Sequence, residues 1–230
     1  MIDTYEHTSE QTWDTIAYSF DTTRQKPWQI VLDFLQTLPH SASVIDLGCG
    51  NGRHLLACAQ HCTSVVGFDI SRNLLSIARE KTQKLHNPNT FFVHGTVTCL
   101  PFKDNSFDGV LFIASLHNIK GKNKRKHALR ELHRILKPGG IGLISVWSRW
   151  QKNYRFYFFK ELFFQTQREF GDIEIPWKQH TTQISRFYHL YGQHEFIHDI
   201  KSSGLIIEKI VHEKIKGKPY SNNYFAFIRK

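Results

Sequence analysis

The sequence predicts an α/β fold: a seven-stranded, mostly parallel sheet with helices on both faces and an antiparallel C-terminal hairpin at one edge. Three observations carry this. From about residue 41, apolar runs of strand length alternate with amphipathic helical segments, the pattern of a parallel sheet covered on both faces. Residues 107–113, FDGVLFI, are nearly continuous in apolar side chains, as a strand buried on both faces should be. Gly48, Gly50 and Gly52 join the first strand to the next helix, and glycine lets a backbone turn sharply and pass close to a ligand.

The elements follow in order. Residues 1–40 read as a helical preface, with one helix over 28–38 after Pro27. A strand over 43–47 ends at Gly48, a helix covers 53–62, and a second strand covers 64–69. Ser71 can cap a helix running to Leu85, with Leu74, Leu75, Ile77, Ala78 and Leu85 as its apolar stripe. Strands are expected over 90–94 and 107–113, then a helix over 123–136 that Lys137-Pro138-Gly139-Gly140 stops, then a strand over 141–146. Residues 147–191 break the alternation. They hold 14 of the chain's 31 aromatic residues, so they read as a substrate-recognition insertion rather than a connection. The remaining 192–230 read as a helix and two strands, 205–212 and 224–228, joined across Lys216-Gly217-Lys218-Pro219. The whole reads as one domain, with 41–146 as its ligand-binding core.

Composition narrows the class. Of 230 residues 40% are hydrophobic and 22% charged, so global disorder is excluded. No apolar run approaches the roughly 20 residues that span a bilayer. The polar, acidic N-terminus lacks the pattern of a secretory signal, and four unevenly placed cysteines suit a reducing, cytoplasmic setting. Net charge is +10, but the first forty residues carry −4, leaving +14 on the rest. That surplus suits a polyanion such as RNA, though a merely basic protein would look the same.

The most informative stretch is VIDLGCGNGRH, residues 44–54. Its spacing puts Arg53 at the third glycine position of the dinucleotide fingerprint. An acid at the strand end, Asp46, suits a ligand with an ammonium group better than a pyrophosphate. Asp69, ending the next strand, is placed to accept both hydroxyls of a ribose. This set resembles the class I S-adenosylmethionine-dependent methyltransferases. GTVTCLPF (95–102), FDGVLFIASLHNI (107–119) and RELHRILKPGG (130–140) extend the resemblance over about residues 41–146. It implies S-adenosylmethionine as cofactor, held by Asp46, Gly48, Cys49, Gly50, Asp69, Ile70, Thr96, Val97 and Ala114. The family usually has an acid where Thr96 stands, which leaves the adenine amino group to a hydroxyl or to backbone.

The flanks are more specific. DTTRQKPW (21–28), Trp147, EIPWKQH (174–180) and RFYHLY (186–191) together resemble the tRNA wobble-uridine carboxymethyl methyltransferases, which esterify 5-carboxymethyluridine in the anticodon. A carboxylate acceptor is already an anion at neutral pH, so it needs orientation, cations and exclusion of water rather than a general base. Arg24, Lys26, Arg186 and His189 are the candidate cations. His117, Trp147, Trp177 and Tyr188 are candidates for the walls around a flipped base and a sulfonium. Gln25 and Asn118 stand where the family has Tyr and a second His. Lys120, Lys122, Lys124, Arg125 and Lys126 form a basic run expected to meet the tRNA backbone. Cys58 and Cys62, one helical turn apart with no second pair, read as buried thiols rather than a metal site.

The resemblance also implies a small zinc-binding activator docked along the sheet edge. The sequence offers a template for it: strand 90–94 is apolar on both faces through Phe91 and Phe92 and lacks a protective Lys or Pro. Two other functions fit the same core: a methyltransferase for a quinone precursor or sterol, and a non-catalytic RNA-binding protein on this scaffold.

Overall fold

The computed structural model describes residues 8–84, 89–151, 153–162, 169–179, 182–214 and 222–230. Leu85, His180 and the expected turn at 216–219 lie outside them.

Along the chain come α1 (Ser9–Thr23), α2 (Gln29–Leu35), β1 (Ser43–Leu47), α3 (Leu55–His61), β2 (Ser64–Asp69), α4 (Arg72–Gln83), β3 (Thr90–His94) and β4 (Phe107–Ile113). A 3-10 turn at Leu116–Asn118 precedes α5 (Lys122–Ile135), β5 (Leu136–Trp147), α6 (Arg155–Glu161), β6 (Asp172–Gln179), β7 (Thr182–His189), α7 (Gln193–Lys201), β8 (Ile206–Lys214) and β9 (Asn222–Arg229). Seven strands form one sheet in the order β3-β2-β1-β4-β5-β9-β8, and β6 and β7 form a separate hairpin. The first five strands pair in parallel, and β9 runs antiparallel to both β5 and β8. Chain order reverses between β1 and β4, so a crevice opens at their carboxyl ends, where open α/β sheets bind ligands.

The sheet is sandwiched between two apolar layers. One joins Phe68, Phe112, Leu129, Leu132 and Phe196; the other joins Val31, Phe34, Leu55, Leu111 and Phe225. Among the described residues no helix is long and apolar enough to cross a membrane.

The structure departs from expectation in several places. α3 starts at Leu55 rather than at residue 53, because Gly52 sits at φ 78° and holds the chain in a turn. The segment 137–140 does not separate helix from strand. Gly139 donates its N–H to Lys230 O and Gly140 O accepts from Lys230 N, which draws this segment into β5 beside the chain's end. The preface holds two helices. The first was legible: Thr8 and Gln11 form a capping box, and Trp13, Ile16, Ala17 and Phe20 follow at helical spacing. Trp13, Ala17 and Phe20 pack against Leu74 and Ile77 of α4. Finally, the aromatic insertion is α6 plus the β6–β7 hairpin.

Candidate active site

The glycine turn after β1 makes one half of the crevice. Gly48, Gly50 and Gly52 all have positive φ, at 70°, 53° and 78°. A Cβ on Gly48 would meet Ser115 Oγ at 2.2 Å, and one on Gly52 would meet Ala78 Cβ at 2.9 Å. On Gly50 the nearest atom would be Phe20 Cε1 at 3.7 Å, so this glycine faces the open side of the turn. Asp69 holds the turn in place: Gly50 N and Ser71 N each donate to its carboxylate at 2.8 Å. Asp46 is 1% exposed, and its Oδ2 has no hydrogen-bond partner. Burial and the nearby Asp69 carboxylate push its pKa up to about 7. An orphaned acid oxygen beside a turn whose middle glycine is open fits a bound ammonium group.

Of the other expected cofactor residues, Cys49 is buried and its thiol is held protonated by burial and by Asp69. Ile70 O accepts from the His94 ring at 2.9 Å. Thr96 is exposed, its hydroxyl bonded to that of Thr98. Val97 packs on the core, and Ala114 takes φ 54° with its N–H on Ser145.

The other half is aromatic and cationic. Tyr188 stacks against both Trp147 (ring centroids 4.9 Å apart, 16° between planes) and His117 (5.4 Å, 24°), and the Trp147 and His117 rings are themselves 5.5 Å apart, so the three form a triangle. Trp147 N donates to His117 Nδ1 at 3.2 Å, and burial drives the His117 pKa down to about 3. The ring is therefore neutral, with its remaining proton on Nε2. The Arg186 guanidinium lies 4.6 Å from the Trp177 ring and 5.2 Å from Tyr188. It is 6% exposed, and its Nε has no partner. Trp177 is pinned by its indole N–H donating to Ser19 Oγ at 2.9 Å. Arg24 lies over Phe20, and its pKa is lowered by burial and by Arg186, with Tyr188 opposing. Among the described residues neither arginine has a carboxylate partner. Two neighbouring guanidiniums lacking an acid make a site for an anion.

The structure thus brings Arg24, His117, Trp147, Trp177, Arg186 and Tyr188 together. It does not bring in Lys26, which is exposed with no contact to this cluster among the described residues. Two expected roles are corrected. His189 is fully buried, with Nδ1 on Asp172 at 2.7 Å and Nε2 on Glu195 at 2.9 Å, so it faces protein carboxylates rather than an acceptor. Arg125 is 0% exposed, donating to Tyr191 Oη and Ile119 O and paired with Glu169, and cannot reach RNA. One residue in each helical turn faces inward, and Arg125 occupies that place in the basic run. Lys120, Lys122 and Lys124 are exposed, while Lys126 is half-buried near Asp199.

Sequence reasoning missed the straps that close α1 over the site. Asp14 accepts from Ser71 Oγ and Asn73 N. Asp21 pairs with Lys81 and accepts from Asn51 Nδ2, which also donates to Arg24 O. The acidic bias of the preface was the available signal, and it reads as intramolecular rather than as a solvated tail.

A methyltransferase domain model matches residues 45–144. A candidate methyltransferase of Encephalitozoon cuniculi is 32% identical over 197 residues, covering 84% of each chain. The chain belongs to the class I methyltransferase family. S-adenosylmethionine is the cofactor of that family, and the orphaned Asp46 oxygen and glycine cradle fit it. The tRNA carboxymethyluridine methyltransferase of Xenopus tropicalis is 39% identical over 136 residues, 59% of this chain. The chain spans 20% of that relative's length and 33% of its Arabidopsis thaliana counterpart's. Among solved structures, a SAM-dependent methyltransferase of Methanosarcina mazei aligns with TM-score 0.74 at 19% identity, over 89% of this chain and 98% of its own. A chain from the complex of the Haloferax volcanii Trm112 methyltransferase activator with its candidate methyltransferase aligns with TM-score 0.69 at 18% identity, over 96% and 97%.

A groove of about 510 Å³ lies at the opposite end of the sheet, lined by Phe34, Leu38, Lys137, Gly140 and Phe227. Its rim charges, Lys137 with Asp108 and Arg229 with Glu208, are already paired.

Proposed function

We propose that this chain esterifies the carboxylate of 5-carboxymethyluridine at the tRNA wobble position, giving 5-methoxycarbonylmethyluridine. The observation that carries the reading is Arg186: a buried guanidinium with an unpaired Nε, stacked between Trp177 and Tyr188 and adjacent to Arg24. That is a cradle for one planar anion among aromatic faces. The 39% identity to a relative named for carboxymethyluridine supports the same substrate.

When bound, S-adenosylmethionine supplies an electrophilic methyl on a sulfonium. Asp46, the 48–52 turn and Asp69 hold and orient it, with Ile70, Thr96, Val97 and Ala114 along its adenosine side. Arg24 and Arg186 fix the acceptor carboxylate as an anion, so no proton has to leave before attack. His117, neutral, offers Nε2–H as a donor without adding charge. Trp147, Tyr188 and Trp177 exclude water and give a flipped base a face on which to stack. Lys120, Lys122 and Lys124 meet the tRNA backbone beside the crevice.

A small zinc-binding activator is the proposed protein partner, and β3 its docking edge. β3 ends the observed strand order, and its Phe91 is 54% exposed. Co-expression with the activator should protect amide hydrogens of Thr90–His94 from exchange only in the complex.

The deciding experiment is nucleoside mass spectrometry of carboxymethyluridine-containing tRNA incubated with the protein and S-adenosylmethionine. A gain of one methyl on that nucleoside supports the reading. Methyl label recovered only in an organic extract would replace it with a small-molecule acceptor.

A further inference from the structure

Behind the aromatic wall, charges gather around the buried His189 ring. His189 Nδ1 faces Asp172 at 2.7 Å, and its Nε2 faces Glu195 at 2.9 Å and Glu169 at 4.0 Å. Arg125 of α5 donates to Glu169, and Arg149, just after β5, pairs with Glu195 and donates to Leu190 O. Tyr191 sits edge-on to the His189 ring at 4.9 Å and accepts from Arg125 Nε. Among the described residues these face the imidazole from α5, β5, β6, β7 and α7; His117 of the 3-10 turn is near enough for the His189 charge to lower its pKa, and the buried Asp199 of α7 couples to the same Arg125 and Glu195.

Two independent counts give its state. A neutral imidazole has one N–H, yet both ring nitrogens face carboxylates, and a bare nitrogen against a carboxylate is a contact between two acceptors. Among the described residues three carboxylates stand against two guanidiniums around the ring, so a neutral ring would leave one half-buried negative charge unbalanced. A doubly donating ring resolves both. The same pairing argues against reading Glu169, Asp172 and His189 as a metal centre: Arg125 already meets Glu169, and the ring itself meets Asp172.

We propose that His189 is a positioning residue: as an imidazolium it clamps the β6–β7 hairpin to α5 and α7, and so fixes the adjoining Tyr188 and Arg186 in the acceptor wall. This rests on the proposed acceptor site for its effect on catalysis, but not for the clamp itself. Burial alone would push the His189 pKa down; Asp172 and Glu195 outweigh it and hold it above the ordinary value. The clamp is therefore complete below the ordinary histidine pKa and is lost as pH rises through the elevated one.

The test uses the full chain. In ¹⁵N-histidine correlation spectra of the wild type, His189 should show two protonated nitrogens at pH 7 and lose one only at a pH above the ordinary histidine range. A single N–H at pH 7 overturns the proposal. His189→Gln, which can donate to one acid only, should lower kcat on carboxymethyluridine tRNA by about 10- to 100-fold, as small misplacements do. It should change the near-ultraviolet circular dichroism of the Trp147–Tyr188 stack and leave S-adenosylmethionine affinity as it was. Adding Asp172→Asn restores the charge balance, leaving two arginine–glutamate pairs, and should recover the dichroism signature and most of kcat. A single variant indistinguishable from wild type, or a double variant no better than the single, overturns the clamp. Since the spectra need no tRNA, they decide the clamp even if the tRNA reading fails.

Discussion

The two halves of the crevice are built in opposite ways. The cofactor side is backbone: a turn of three glycines at positive φ and two aspartates, all within residues 46–69, with Asp69 spending both oxygens on main-chain N–H groups. The proposed acceptor side is side chains, drawn from the end of α1, the turn after β4, the end of β5 and the β6–β7 hairpin, and held by stacking and ion pairs. A local backbone cradle has few ways to vary, because each glycine answers a steric demand. A wall assembled from distant segments depends on every strap behind it, which makes it the more adjustable half and, under the proposed function, the one that selects the substrate.

That contrast can be broken by substitution. Gly48→Ala should have the largest effect. The new Cβ lands 2.2 Å from Ser115 Oγ at a φ of 70°, and the left-handed backbone and the clash together should cost about 3 kcal/mol or more. Denaturant titration and cofactor calorimetry should show lost stability, lost binding, or both. If the variant binds normally, the cradle is softer than its geometry says.

Asp69→Ala comes next. Loss of a carboxylate that organises the turn, and whose remaining lone pairs are proposed to accept from a ribose, should weaken S-adenosylmethionine binding by about 2–3 kcal/mol, roughly 30- to 150-fold. Unchanged affinity in a folded variant would remove Asp69 from the cofactor site.

Arg186→Ala should spare cofactor affinity while cutting methyl transfer on the order of 100-fold, as expected for a lost charge-assisted contact. Arg186→Lys should not restore it, because an ammonium cannot lie flat between Trp177 and Tyr188. Rescue by lysine would mean that charge alone matters there.

Proton linkage tests the cofactor side more finely. With the Asp46 pKa near 7, a cationic ligand selects the ionised carboxylate. Affinity should therefore fall as pH drops below 7, approaching about tenfold per unit. Calorimetry in buffers of different ionisation enthalpy should detect a proton released on binding near pH 6.5. A flat profile between pH 6 and 8 would place the ammonium elsewhere.

The smallest effects belong to the basic run, and they separate its members. Lys122→Ala and Lys124→Ala should each flatten the salt dependence of tRNA binding by about one unit. Arg125→Met should leave that slope unchanged and lower stability instead, since it strips Glu169 of its partner.

What the residue order determined by itself is the part that depends on neighbours in the chain. β1, β2, β3 and β4 fall where apolar runs bounded by turn residues put them, Ser71 caps α4 as its position demands, and the glycine spacing is a local backbone requirement. The strand order was also foreseeable in outline, with β3 at an edge. What only the tertiary structure decided depends on which way a side chain faces once distant segments meet. Arg125 and its lysine neighbours are alike in sequence, but the core-facing side of α5 claims one of them. His189 and Arg186 lie on one strand and read alike as cations. The first is enclosed by acids from outside its strand and the second by aromatic rings. A buried charge that the fold matches, as at His189, is structural, and one that it leaves unmatched, as at Arg186, is open to a ligand, so the role is set by the enclosure rather than by the residue type.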